Sequence, residues 1–312
     1  MEFGGSGGLL HQIIERYKWV QTLADERVVD WPLMTSPLAA LMITMGYFLI
    51  VVVGPKAMTH FKPLPVAKLL FPYNISVACL NLYIAVEGLH LVWLLKYNWV
   101  CEPVRYTIDP LEMRVAAVLW WYLISKLIEF CDTIFIIIRK KVEHLTPLHI
   151  YHHSTMFFLC WIGVRYVAGG SAVQCALVNS LVHVFMYIYY AIASLGHTWK
   201  QFLWWKRYIT ILQMVQFIMG VVMGTNALIR GCAFPVWMQY MLVLYAFSFL
   251  LLFCNFYRRA YIIQPKKEKG EDTQENAVIK FPGIDTINGL QPPQKRHRHP
   301  PRNQNASLHP IH

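Results

Sequence analysis

Four short runs in the chain concentrate side chains able to do chemistry. The run H-I-Y-H-H sets His149, His152 and His153 at i, i+3 and i+4, which places three imidazoles on one side of a helix. Such a cluster suits either metal ligation or nucleophilic and acid–base work. A second run, K-L-I-E-F-C-D-T, spaces Lys126, Glu129, Asp132 and Thr133 three and four apart on one helical face. It reads equally as part of a site or as a buried ion-pair network that holds helices together. The third, N-S-L-V-H-V-F-M-Y-I-Y-Y, repeats Asn179, His183, Met186, Tyr187 and Tyr190 at helical spacing, and T-I-L-Q-M-V-Q aligns Thr210, Gln213 and Gln216. Aromatic packing would explain the third run, and interhelical hydrogen bonding the fourth.

The elements that must carry these groups follow from composition. The 312-residue chain is 56% hydrophobic and only 14% charged, whereas a soluble chain carries about 25% charged residues. Crossing roughly 30 Å of hydrocarbon takes about 20 helical residues. Apolar runs of that order lie near residues 37–54, 68–95, 115–138, 148–165, 171–196, 204–229 and 234–257. The count is seven, or six given that the second is long and contains Pro72 and Asn74 and that histidines open the fourth. The runs lack the alternation of barrel strands, so the expected fold class is an all-α membrane protein. Segment 9–36 spaces Leu10, Ile13, Ile14, Tyr17, Val20 and Leu23 among charges, as in a helix lying at the interface. It lacks the basic start and apolar core of a cleavable signal peptide.

Lysine and arginine in short loops mark the cytosolic side. Arg139, Lys140 and Lys141, then Lys200, Lys206 and Arg207, then Arg258, Arg259, Lys266 and Lys267 all fall on one side, against Lys96, Arg105 and Arg114 on the other. Seven spans then put the N-terminus in the lumen and the C-terminus in the cytosol. Three regions result: a lumenal segment 1–36, a transmembrane domain 37–260, and a basic, Pro- and Gln-rich tail 264–312 expected to be disordered. The net charge of +11 reflects this topology and the tail, so no nucleic-acid partner is expected. Cys101 and Cys232 fall in loops assigned to the oxidising side, which predicts a disulfide between them. The other five cysteines lie within spans, where cysteine packs as a small apolar residue. No zinc-type cysteine pair, P-loop or GxGxxG is present.

Depth unites the four runs. Each charged residue at a span centre costs about 2.5–3.5 kcal/mol on insertion scales, so it requires a function or a partner. Helix rise and alternating span direction place all four runs in the cytosolic half, which predicts one chamber opening toward a basic rim of Arg139, Lys141, Lys200, Lys206 and Arg207. Such a rim matches the phosphates of a cytosolic substrate, although basic loops arise from topology alone as well.

These runs, together with W-P-L-M-T-S-P, L-W-W-Y, W-I-G, V-A-G-G and W-W-K-R-Y, resemble the family that elongates very long chain fatty acids, from about residue 25 to 260. The resemblance implies a multi-pass enzyme of the endoplasmic reticulum with seven helices, six of them forming a barrel around an acyl tunnel closed at its lumenal end. The implied reaction is a 3-ketoacyl-CoA synthesis. A long or very long fatty acyl-CoA, polyunsaturated chains included, passes its acyl group to His152, and decarboxylating malonyl-CoA then attacks the acyl-imidazole. His183 and Asn179 are expected near the reacting carbonyl, with His149, His153 and Asp132 holding imidazole tautomers. CoA contacts fall to Lys126, Arg139, Lys141, Lys206, Tyr189, Thr210 and Gln213. No metal or cofactor is implied; the partners are acyl-CoA, malonyl-CoA, reticulum lipid, the reductases and dehydratase of the elongation cycle, and other elongase copies in homo- or hetero-oligomers. The chain departs from many members in ending L-H-P-I-H, without a lysine-based retrieval signal. The sequons at Asn74 and Asn305 fall at a span start and in the cytosolic tail, so neither should carry a glycan. Two rivals differ in class. A membrane desaturase needs about eight His ligands from three boxes, and one box plus His183 falls short. A seven-helix receptor or transporter would use the same polar groups as a proton relay without turnover.

Overall fold

The structure is a computed structural model and describes residues 8–263. The tail at 264–312, its sequon and the first seven residues lie outside the described residues. Among those described, all regular structure is helical and no strand occurs.

Three helices open on the same signal, a hydroxyl or carboxylate cap followed by proline, which supplies the fixed φ a first helical turn needs. Ser36 caps α2 (Pro37–Ala57), accepting from the Leu38 N–H. Asp109 caps α4 (Pro110–Ile128), accepting from Leu111 and Glu112. Thr146 caps α6 (Pro147–Tyr166), accepting from His149 and so placing the histidine run in the first turns. The remaining helices are α1 (Leu9–Thr22), α3 (Ala67–Leu94), α5 (Phe130–Ile138), α7 (Ser171–Ser194), α8 (Lys206–Ile229) and α9 (Val236–Tyr257).

Five helical segments are long and apolar enough to cross a membrane: 37–60, 67–94, 171–194, 206–229 and 236–262. The other two expected spans fall short for identifiable reasons. Three charged residues, Glu112, Arg114 and Lys126, interrupt α4, while His149, His152, His153 and Arg165 dilute α6. The second expected span forms as one helix. Helix α3 runs through Pro72, with Asn74 Nδ2 donating to Leu70 O at 2.7 Å and Ser76 Oγ to Pro72 O at 2.8 Å.

The third expected span, 115–138, is not one continuous helix. It breaks at Glu129 into α4 and α5. There the Asp132 N–H turns to Glu129 O at 3.1 Å, a tightened turn, and the Tyr73 hydroxyl donates to the released Ile128 carbonyl at 3.3 Å. Segment 9–36 also differs from expectation, because only Leu9–Thr22 is helical. Its apolar residues are exposed, as an interfacial helix requires. The remainder folds onto the bundle, burying Asp25 and Arg27 as an ion pair whose NH1 and NH2 also reach Arg105 O and Ala168 O, both at 2.9 Å.

Four connections meet at that end. The Asp25 N–H bonds Arg165 O, the Ser171 N–H bonds Glu102 O, and Cys101 and Cys232 are joined in a disulfide with Cα atoms 5.7 Å apart. Cys79, Cys131, Cys160, Cys175 and Cys254 are free thiols. Helical passes therefore leave and return to the disulfide end in alternation. Inter-helix contacts run in a closed circuit of six, α3–α4–α6–α9–α8–α7 and back to α3, with α4 and α7 also touching across it and α2 packed against α5 and α6. The apolar core lies mainly among α3, α4, α6 and α7, around Ile84, Leu119, Leu123, Phe157 and Trp161.

Candidate active site

In the six-helix circuit α6 and α7 are not neighbours, so the groups they turn inward meet across its interior. His152 on α6 and His183 on α7 lie with ring centroids 6.0 Å apart, inclined by 30°. Among the described residues no group hydrogen-bonds the ring of His152. Its surroundings are rings: His153 at 5.0 Å, His183, and Phe249 of α9 at 5.6 Å, itself stacked on Phe217 of α8 at 5.3 Å. His152 is half-buried, and its nitrogens are therefore free to meet a substrate.

His183 is fixed where His152 is free. Its Nδ1 lies 3.1 Å from Glu129 Oε1 and 3.3 Å from Lys126 Nζ, and those two groups form an ion pair at 2.9 Å. The three side chains close a triangle with almost no exposure. The break at Glu129 allows this, because α4 presents Lys126 inward and the tightened turn brings the carboxylate beside it. The second carboxylate oxygen, Oε2, is enclosed without a hydrogen-bond partner among the described residues. Lys126 Nζ also sits 4.8 Å from the centre of the Tyr122 ring.

Asn179, one turn before His183, accepts from the Tyr122 hydroxyl through Oδ1 at 2.8 Å. No described residue bonds its Nδ2, which leaves an amide donor beside the imidazole pair. His149 meets Thr133 Oγ1 through Nε2 at 2.8 Å, and Thr133 in turn meets the Tyr47 hydroxyl at 3.2 Å. His153 is buried between its neighbours, 4.2 Å from His149 by ring centroids and tilted against Tyr47 and Phe130.

The structure thus gathers His149, His152, His153, His183, Asn179 and Lys126 at one level. Asp132, expected to hold an imidazole, has no hydrogen bond to one among the described residues; its Oδ2 accepts from the Tyr187 hydroxyl at 2.5 Å. Lys126, expected to contact CoA, has its ammonium enclosed by Glu129, His183 and Tyr122. The other expected CoA contacts are spread along the end away from the disulfide. Lys206 is exposed at the start of α8, Arg139 closes α5, and Lys141 leans toward Glu143 at 3.7 Å. Tyr189 packs on Trp205 at 5.6 Å. Thr210 is bonded to its own helix at Lys206 O, and Gln213 Nε2 reaches Met186 Sδ at 3.6 Å, so both are turned into the protein.

Sequence reasoning missed Tyr47 and Tyr122 and gave Glu129 no role beyond an ion pair. Tyr122, one turn before Lys126, was legible from spacing. Tyr47 was not, since a lone tyrosine in an apolar span carries no sign of its partner. Outside the bundle interior, burial and the Glu112 carboxylate hold the Tyr97 hydroxyl above its ordinary range, and burial pushes His144 down. Neither belongs to the imidazole layer. No group of three or more metal-ligating side chains suited to an ion occurs among the described residues.

Helical, multi-pass, and built around imidazoles enclosed by its own passes, the chain has the form of a membrane protein with an internal polar site. Residues 32–269 match the ELO family, described as the GNS1/SUR4 family, and the chain belongs to it. It is 44% identical over 265 residues to very long chain fatty acid elongase 4 of Mus musculus, covering 85% of each chain. With the Homo sapiens protein of the same name the identity is 43% over 269 residues, 86% of this chain and 85% of the relative. Very long chain fatty acid elongase 7 of Drosophila melanogaster is 37% identical over 248 residues, 79% of this chain and 75% of that one.

Proposed function

We propose that this protein is a fatty acid elongase that condenses a long or very long fatty acyl-CoA with malonyl-CoA, giving a 3-ketoacyl-CoA two carbons longer. The observation that carries the chemistry is the free imidazole of His152 facing the fixed imidazole of His183. A neutral imidazole attacks a thioester, and the resulting acyl-imidazole is a reactive acyl donor. In the first half-reaction a His152 nitrogen bonds the acyl carbon, the C–S bond breaks, and the proton shed by the imidazole ends on the CoA sulfur. Malonyl-CoA then loses CO2, its carbanion bonds the acyl carbon, and the C–N bond breaks. The departing imidazolate takes a proton from solvent, which restores His152. The free Nδ2 of Asn179 supplies a donor for the oxygen that becomes negative in each attack.

The closed circuit of six helices supports a barrel around the acyl chain, with seven passes through the membrane of the endoplasmic reticulum. Its disulfide end faces the lumen and its basic end the cytosol, where Arg139, Lys141 and Lys206 meet CoA phosphates. Partner reductases and a dehydratase would complete each cycle. Purified protein given labelled malonyl-CoA and a panel of acyl-CoAs tests the proposal. It should form 3-ketoacyl-CoA, and His152→Ala should not. Absence of product from folded protein across all chain lengths would favour a transporter or receptor.

A further inference from the structure

We propose that Glu129, paired with Lys126, is a positioning residue that fixes His183 in the Nδ1–H tautomer and so makes its Nε2 the proton carrier for His152. The proposal rests on the condensation reading above and names a residue that reading does not use.

A ring nitrogen placed between a carboxylate oxygen at 3.1 Å and an ammonium at 3.3 Å faces an acceptor and a donor. The shorter contact is to the acceptor, and the ammonium, which has three protons, directs one of them at the same oxygen at 2.9 Å. The proposed tautomer follows the shorter contact: Nδ1 donates to Glu129 Oε1, and the lone pair lies on Nε2. Lys126 supplies the second half of the device. A lone carboxylate beside the ring would hold it as imidazolium and stop proton exchange, whereas the ion pair keeps the acceptor while cancelling most of its net charge. The ring is oriented without being trapped.

The enclosed, unpartnered Oε2 argues for this over a purely structural role. A carboxylate selected to glue helices would use both oxygens, and one apolar residue would fill the same space at lower cost. The proton ledger also asks for such a carrier. In the first half-reaction a proton must travel from the His152 ring to the CoA sulfur; in the second, one must return from solvent to the imidazolate. His183, its ring centroid 6.0 Å from that of His152, would pass both through Nε2.

The test measures CoA release and acyl-protein formation with acyl-CoA alone, comparing the full chain with Glu129→Gln and Glu129→Asp. Glu129→Gln should lower the acyl-transfer rate on the order of 100-fold, at the lower end of what a positioned acid–base group contributes, with acyl-CoA KM within about twofold. Glu129→Asp should recover part of that rate. Independently, ring nitrogen NMR of histidine-labelled protein, with the His183 signals assigned through His183→Gln, should show Nδ1 protonated and Nε2 not. An unchanged rate in Glu129→Gln, or the opposite tautomer in the unaltered protein, overturns the proposal. If Glu129→Gln does not fold, the tautomer decides alone. Failure of the unaltered protein to form any acyl adduct would instead strike the acyl-histidine reading.

Discussion

Lys126→Met isolates the ion pair at the centre of the site. Methionine keeps the length and apolar stem of lysine but leaves Glu129 enclosed without its cation. At 2.9 Å and an effective dielectric constant of about 20, the gross attraction lost is about 6 kcal/mol. Desolvation offsets part of it, and breaking a buried pair by removing one partner costs about 3–5 kcal/mol. With His183 in the proposed Nδ1–H tautomer, its hydrogen bond to the same carboxylate survives, which points to the lower end of that range. Lys126→Met/Glu129→Gln removes both charges, so it should recover most of the loss and sit within about 1.5 kcal/mol of the unaltered protein. Unfolding in mixed micelles containing increasing SDS, followed by tryptophan fluorescence, gives all four corners of the cycle. A coupling energy below about 0.5 kcal/mol would refute the reasoning, because it would mean the two groups are solvated and independent.

Other positions give sharper local tests. Gly170 has φ +57°, and a Cβ there would stand 2.5 Å from the Glu102 carbonyl oxygen, so Gly170→Ala should lower the SDS midpoint by an amount equivalent to at least about 1–3 kcal/mol. Reducing the Cys101–Cys232 bond frees a loop of 131 residues; the chain-entropy limit is about 5 kcal/mol, and helices that stay inserted reduce it, so the thermal midpoint should fall measurably while condensation persists below it. Lys206→Ala removes an exposed charge at the basic end and should raise acyl-CoA KM about two- to fivefold with kcat unchanged, and less so at high salt.

Much of this arrangement is visible in the residues. The S-P, D-P and T-P starts, the apolar runs and the meeting of residues from three of the polar runs come directly from helix periodicity and the cost of burying charge. Periodicity fails where a side chain competes with the helix. At the Glu129 break the hydroxyl of Tyr73, 55 residues before Ile128, donates to the Ile128 carbonyl, a contact that no local spacing pattern records. The same turn sets Glu129 beside Lys126 and His183, while Asp132 meets Tyr187. The burial of Asp25 and Arg27 was illegible for a similar reason. Their acceptors, Arg105 O and Ala168 O, are backbone groups from distant connections, which carry no trace in the local sequence.

The claim that matters most is that His152 carries the acyl group. Incubation with acyl-CoA alone, followed by proteolysis and mass mapping under conditions that preserve acyl-imidazoles, tests it directly. One acyl chain should appear on the peptide containing His152, discharged as 3-ketoacyl-CoA when malonyl-CoA is added and missing in His152→Ala. An adduct on another residue, or condensation that proceeds in His152→Ala at the unaltered rate, would contradict it.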